Sequence, residues 1–193
     1  MKYNLGIDLD GVVCDIYPEA FSNLKAMYPS KVKDDNTNIW NSKWEEFYGL
    51  TEQEVMNCFI EVGRKGLLRT APIYSGAKEA LYKINRKYNI YFVSWRNYIP
   101  NAREDTFYWL DSNKIPYERL VMTNNKYKVA IKEKFCFFLD DNIQQCNRLA
   151  KTMIPTYLFR RPWNEREIPG TDAMVKCIEN WKQVGRLLNG ERY

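Results

Sequence analysis

The sequence predicts an α/β protein: a Rossmann-like parallel sheet of about five strands, sandwiched by helices, with a small helical cap inserted after the first strand and helix. Two observations point there. Short apolar runs of four to seven residues alternate with stretches whose apolar residues recur at helical spacing, and such alternation builds βαβ units around a parallel sheet. The interval from residue 28 to 69 breaks that rhythm. The 193 residues, 45% of them apolar, suffice for one domain of ordinary size with a sizeable core.

Taken in order, the first strand is Tyr3–Leu9, and residues 1–27 form the start of the core. Residues 28–69 hold no good strand and are rich in aromatics, with Trp40, Trp44, Phe47 and Tyr48 at the spacing of one buried helix face. Thr51 followed by Glu54 reads as a capping box that opens a helix running to about Gly63. The core resumes over residues 70–193. Ala77, Ala80, Leu81, Ile84 and Tyr88 mark a helix, and Ile90–Ser94 a strand. Phe107 and Leu110 sit on the next helix, followed by the strands Arg119–Met122, Phe135–Leu139 and Thr156–Phe159. Met174, Ile178, Trp181, Val184 and Leu188 recur at helical spacing and predict a closing helix.

Composition narrows the chemistry. The chain has no histidine, which removes Ser-His-Asp and Cys-His catalysis and every zinc site that needs an imidazole. Five cysteines lie far apart without a CxxC spacing, so reduced, mostly buried thiols in a cytoplasmic protein are expected. No apolar run approaches a membrane span, and the N-terminal segment lacks the apolar core of a signal peptide. The balance of 29 Lys and Arg against 24 Asp and Glu suits an anionic small molecule, and more weakly a nucleic acid.

The strongest chemical signal is Gly6-Ile7-Asp8-Leu9-Asp10-Gly11-Val12 at the end of the first strand. Asp8 and Asp10 point the same way, into the crevice where open α/β sheets bind ligands. Crowded carboxylates need a cation, and Mg²⁺ prefers oxygen ligands with phosphate co-ligands. A calcium loop starting at Asp8 fails, because glycine falls at position 4 and Val12 stands where an oxygen ligand is required. A second acid pair, Asp140-Asp141, follows the apolar run Phe135–Leu139, so two strands bring carboxylates to one sheet edge. Ser94 ends another strand and Lys126 opens a short helix; a hydroxyl and an ammonium suit the peripheral oxygens of a phosphoryl group.

This order of motifs resembles the haloacid-dehalogenase-like phosphohydrolases, and within them the 5'(3')-deoxyribonucleotidases. Pro72-Ile73-Tyr74-Ser75-Gly76-Ala77 resembles the family's proline-glycine segment before its second core helix. Leu158–Asn164 resembles its Phe-x-x-Pro-Trp-Asn stretch, and Trp181 with Val184 its closing Trp-x-x-Val. The resemblance implies that Asp8 is the nucleophile and forms an aspartyl-phosphate, while Asp10 serves as general acid and then general base. It implies Mg²⁺ held by Asp8, the Asp10 carbonyl and the second acid pair, with Asp141 favoured as direct ligand and Asp140 through water. Ser94, Trp95 and Lys126 would bind phosphate, Lys128 being the alternative lysine. As general acid, Asp10 is expected to set the pH dependence through a raised pKa.

The second motif, usually Thr-Ser-Pro-like in the family, reads Ser94-Trp95-Arg96 here, and Gly66-Leu67-Leu68 replaces a Gly-Phe-Phe segment that shapes the base pocket. Trp40 and Trp44 could restore a stacking surface or simply form the core of the cap. Arg96, with Arg160 and Arg161, is a candidate contact to substrate anions. The expected activity is dephosphorylation of (deoxy)nucleoside monophosphates. Other small phosphorylated metabolites, nucleic-acid ends and a phosphate-accepting signalling or binding domain are the alternatives.

Overall fold

A computed structural model describes residues 2–33, 44–165, 169 and 174–188 of the chain. Its strands are β1 Tyr3–Ile7, β2 Tyr88–Ser94, β3 Arg119–Met122, β4 Phe138–Asp140, β5 Thr156–Phe159 and β6 Val175–Ile178. All pair in parallel in the order β3-β2-β1-β4-β5-β6. The helices are α1 Tyr17–Met27, α2 Trp44–Tyr48, α3 Glu52–Arg64, α4 Ala77–Ile84, α5 Ala102–Ser112, α6 Lys126–Lys132, α7 Ile143–Ala150 and α8 Trp181–Leu188. The fold is the expected α/β class.

The central strands are buried on both faces, which is why they read as apolar runs rather than alternating ones. Leu5 and Ile7 of β1, Ile90, Phe92 and Val93 of β2, and Phe138 and Leu139 of β4 are all fully enclosed. Gly6 sits where any Cβ would overlap the Phe138 ring, so its hydrogen side chain lets β4 aromatics pack flat against β1.

Several elements differ from the sequence reading; Tyr88, expected on the helix before it, opens β2. The sheet has a sixth strand, because residues 175–178 pair with β5 from Thr156↔Val175 to Phe159↔Ile178. Val175 and Ile178 are buried while Lys176 and Cys177 are exposed, and that i, i+3 spacing imitates one turn of a helix. The closing helix begins only at Trp181. Strand β1 stops at Ile7, since the amides of Val12, Val13 and Cys14 all turn back onto the Leu9 carbonyl. Strand β4 starts at Phe138 rather than Phe135.

Helices α2 and α3 lie within the expected cap interval. Thr51 caps α3 through a complete capping box: its hydroxyl accepts from the Glu54 amide and the Glu54 carboxylate accepts from the Thr51 amide. Helix α1 of the core packs on α3, and Trp44 stacks on Phe59 with ring planes 5° apart at 5.7 Å. Trp44 is buried but Phe47 is exposed, so the four aromatics do not share one buried face; Trp40 lies outside the described residues. All five cysteines are free thiols. Among the described residues no helix is long and apolar enough to cross a membrane.

Candidate active site

The order β3-β2-β1-β4-β5-β6 reverses direction beside β1, and the crevice at such a switch point is where open α/β sheets hold ligands. Each predicted chemical group arrives there on its own element. Asp8 follows β1 immediately and donates its amide to the Leu139 carbonyl on β4 at 2.9 Å. Ser94 is the last residue of β2, Asp140 the last of β4, and Lys126 the first of α6. Asp8, Ser94, Lys126, Asp140 and Asp141 are all buried, which removes solvated surface decoration as their explanation.

Ligand oxygens of Asp8, Asp140 and Asp141 lie within 4.8 Å of one another. Lys126 Nζ joins the first two, 2.7 Å from Asp8 Oδ2 and 2.8 Å from Asp140 Oδ2, whereas Lys128 is exposed. Burial pushes the Asp8 carboxyl up to about 7, against the pull of Lys126 and with help from Asp140 and Asp10. Burial, then Asp8 and Asp140, also raise Asp141 well above the usual carboxylate range. For Lys126, burial works to lower the pKa, but Asp140 and Asp8 outweigh it and hold the ammonium charged.

Three carboxylates facing one ammonium form a set of hard oxygen donors with negative charge in excess, and this composition fits a divalent ion such as Mg²⁺. Asp140 already accepts from Lys126 at Oδ2 and from the Asn142 amide at Oδ1, 3.0 Å. Asp141 accepts the Trp163 indole N–H at Oδ2, 2.8 Å, and the Asn164 amide donates to its carbonyl at 2.7 Å. Gly11 makes this approach possible: it adopts φ +75°, and a Cβ there would overlap Asp141 Oδ2. Tyr17 stacks on Trp163 at 4.1 Å, and its phenol is raised by burial and by Asp141, Asp10 and Asp8.

The side chain of Asp10 meets Arg96, the residue expected as a contact to substrate anions. Arg96 is 1% exposed and grips both Asp10 oxygens, Nε at 2.8 Å from Oδ2 and Nη2 at 2.5 Å from Oδ1. Ser94 Oγ lies 3.4 Å from Asp10 Oδ2. Asp10 is thus ion-paired with Arg96.

The other substrate candidates separate by burial. The Trp95 ring is 47% exposed and rests against Tyr98 at 5.2 Å. Trp44 stacks on Phe59 and meets Tyr17 edge-on at 6.2 Å, so it belongs to the packing of α2 on α3 and α1. Sequence reasoning missed the links of Trp163 to Asp141 and of Arg161, whose Nε donates to the Gly11 carbonyl at 2.5 Å. Their signal was present in Leu158–Asn164, where Arg160 and Arg161 were expected as contacts to substrate anions and Trp163 was given no role.

Comparison with known proteins places the chain in a family. The family model described as "5' nucleotidase, deoxy (Pyrimidine), cytosolic type C protein" matches residues 2–189. A 5'(3')-deoxyribonucleotidase of Bacillus subtilis (strain 168) is 22% identical over 190 residues, covering 97% of this chain and 99% of that protein. Among solved structures, CbbY from Rhodobacter sphaeroides in complex with phosphate has a TM-score of 0.63 at 9% identity, over 96% of this chain and 97% of that one. A protein of Bacillus subtilis assigned to the HAD-hydrolases and bound to magnesium has a TM-score of 0.60 at 13% identity, over 98% and 100% of the two chains. At these identities the two structures establish the fold, which is haloacid-dehalogenase-like.

Proposed function

This chain belongs to that nucleotidase family and is a haloacid-dehalogenase-like phosphatase; from that premise we propose Mg²⁺-dependent hydrolysis of (deoxy)nucleoside monophosphates through an aspartyl-phosphate on Asp8. The observation that carries the reading is the burial of Asp8, Asp140 and Asp141 within 4.8 Å of one another, with Lys126 on the first two. The family model and the relative's nucleotidase activity support the substrate class.

Asp8 Oδ attacks the phosphorus in line as the bond to the leaving oxygen breaks, and Asp10 gives that oxygen its proton. In the second half Asp10 takes a proton from water, the water oxygen bonds to phosphorus, and the bond to Asp8 breaks. Lys126 and Ser94 hold the peripheral phosphoryl oxygens, and the Lys126 ammonium favours the ionised, nucleophilic form of Asp8 against the effect of burial. Mg²⁺ would be held by Asp8, the Asp10 carbonyl and Asp141, with Asp140 fixing Lys126, and would supply charge neutralisation between the carboxylates and the phosphoryl group. The free thiols accord with a cytoplasmic location, and the expected partner is the small phosphorylated substrate.

The test is phosphate release from a panel of deoxyribo- and ribonucleoside monophosphates, with Mg²⁺ and with EDTA, for the wild type and Asp8→Asn. Release that needs Mg²⁺ and vanishes in Asp8→Asn supports the mechanism. Undiminished turnover in that variant would sink it, and release from sugar phosphates alone would sink the nucleotide assignment.

A further inference from the structure

We propose that Arg96 is the positioning residue for Asp10: it fixes the plane and rotamer of the Asp10 carboxylate for proton transfer. The inference rests on the acid–base role given to Asp10 above. It starts from Arg96, which follows the strand-end Ser94 by two residues and is fully enclosed beside Asp10.

The local arrangement gives Arg96 little freedom. Its side chain is 1% exposed and its donors are distributed over three partners: Asp10 through Nε and Nη2, the Cys14 thiol at 3.2 Å from Nη2, and Thr106 Oγ1 at 2.8 Å from Nη1. Thr106 in turn donates its hydroxyl to the Ala102 carbonyl at 2.6 Å, so the guanidinium is anchored in the first turns of α5. Asp105, the neighbour of Thr106, is ion-paired with Arg69 at 2.7 Å, which braces α5 against the short turn Leu67–Arg69. A planar fork held at both ends sets a carboxylate's rotation more tightly than one ammonium can. Asp10 stands on a turn, where a side chain left alone would sample several rotamers. The bidentate pair removes that freedom.

A residue that merely held the fold together would lower stability and leave the division of catalytic steps unchanged. A positioning residue for Asp10 has three signatures. Arg96→Gln should lower kcat on nucleoside monophosphates by about 10²-fold, the scale of one acid–base group, with KM within about threefold. In an Asp10→Asn background the same substitution should bring almost no further loss, because the two act as one unit. With p-nitrophenyl phosphate, whose leaving group needs no proton, the variant should show a burst of nitrophenol, since breakdown of the aspartyl-phosphate still needs Asp10 as base.

The experiment is the kinetic double-mutant cycle of Asp10→Asn and Arg96→Gln on the full chain with Mg²⁺, with thermal unfolding of each variant. If Arg96→Gln does not fold, Arg96→Lys, which keeps the charge but not the fork, and Thr106→Val, which removes the anchor, take its place and should lower kcat in the same non-additive way. Independent, multiplicative losses would overturn the proposal, and so would a rise in KM with kcat unchanged, which marks a direct substrate contact. Full activity of Asp10→Asn alone would instead overturn the acid–base role on which the proposal rests.

Discussion

Lys126 Nζ lies 2.7 Å from Asp8 Oδ2, and both side chains are buried where the sheet changes direction. The same ammonium reaches Asp140 at 2.8 Å, so one cation offsets two carboxylates in a region of low dielectric. Removing one partner of a buried pair costs roughly 3–5 kcal/mol, because the remaining charge is left uncompensated. Lys126→Met should therefore destabilise the metal-free protein by about that amount near neutral pH, as urea denaturation would measure. A loss below about 1 kcal/mol would mean that the carboxylates are already neutral without the lysine.

The raised Asp8 pKa has a definite sign in stability. Folded Asp8 titrates at about 7, against an ordinary value of 3.8, so the native state keeps a proton that the unfolded chain releases. Its contribution is full below about pH 4 and is lost as pH rises through 7; Asp141 shifts in the same direction. Metal-free Asp8→Asn should show a flatter Tm profile than wild type between pH 4 and 7 and a higher Tm at pH 7.5. Calorimetry in EDTA checks this, and added Mg²⁺ should reverse the ranking, because only the wild type keeps the full ligand set.

Trp163 holds one oxygen of Asp141 through its indole N–H, which leaves Oδ1 of that carboxylate to be aimed at the cluster. Partners of this kind typically change metal affinity by about 10–100-fold when removed. Trp163→Phe keeps a ring to stack on Tyr17 and deletes only the donor. Titration calorimetry should find Mg²⁺ affinity lower by a factor in that range, with little loss of thermal stability. Unchanged affinity would show that Asp141 is oriented by its backbone alone.

Trp44 offers a test of whether the cap aromatics serve folding or the substrate. Its ring is buried, stacked on Phe59 and close to Tyr17 and Phe21. Truncating a ring in such packing costs about 3–5 kcal/mol. Trp44→Ala should lose stability on that scale and change KM for nucleoside monophosphates by less than about twofold. A large rise in KM with the fold intact would assign the ring to substrate binding.

The sheet and the carboxylate cluster were legible in the sequence because their signals are local. An apolar run ending in Asp8 or Asp140 reports both a buried strand and the side of the sheet on which its acid emerges. The sixth strand was not legible, because Val175 and Ile178 fit a helical spacing as well as an edge strand, and only pairing with β5 decides between them. The place of Trp44 in the packing was a matter of neighbours: Phe59, Tyr17 and Phe21 come from two other helices.

The sequence by itself determined the fold class, the acid pairs Asp8/Asp10 and Asp140-Asp141 that follow β1 and close β4, Ser94 at the end of β2, Lys126 at the start of α6, and the absence of imidazole from any mechanism. Only the tertiary structure decided which cation answers which acid. Arg96 stands 86 positions from Asp10, and Lys126 is 14 from Asp140, separations at which no periodicity operates. Charge pairing in a buried site is settled by which side chains the parallel crossovers bring within about 3 Å, and that distance is a property of the folded sheet.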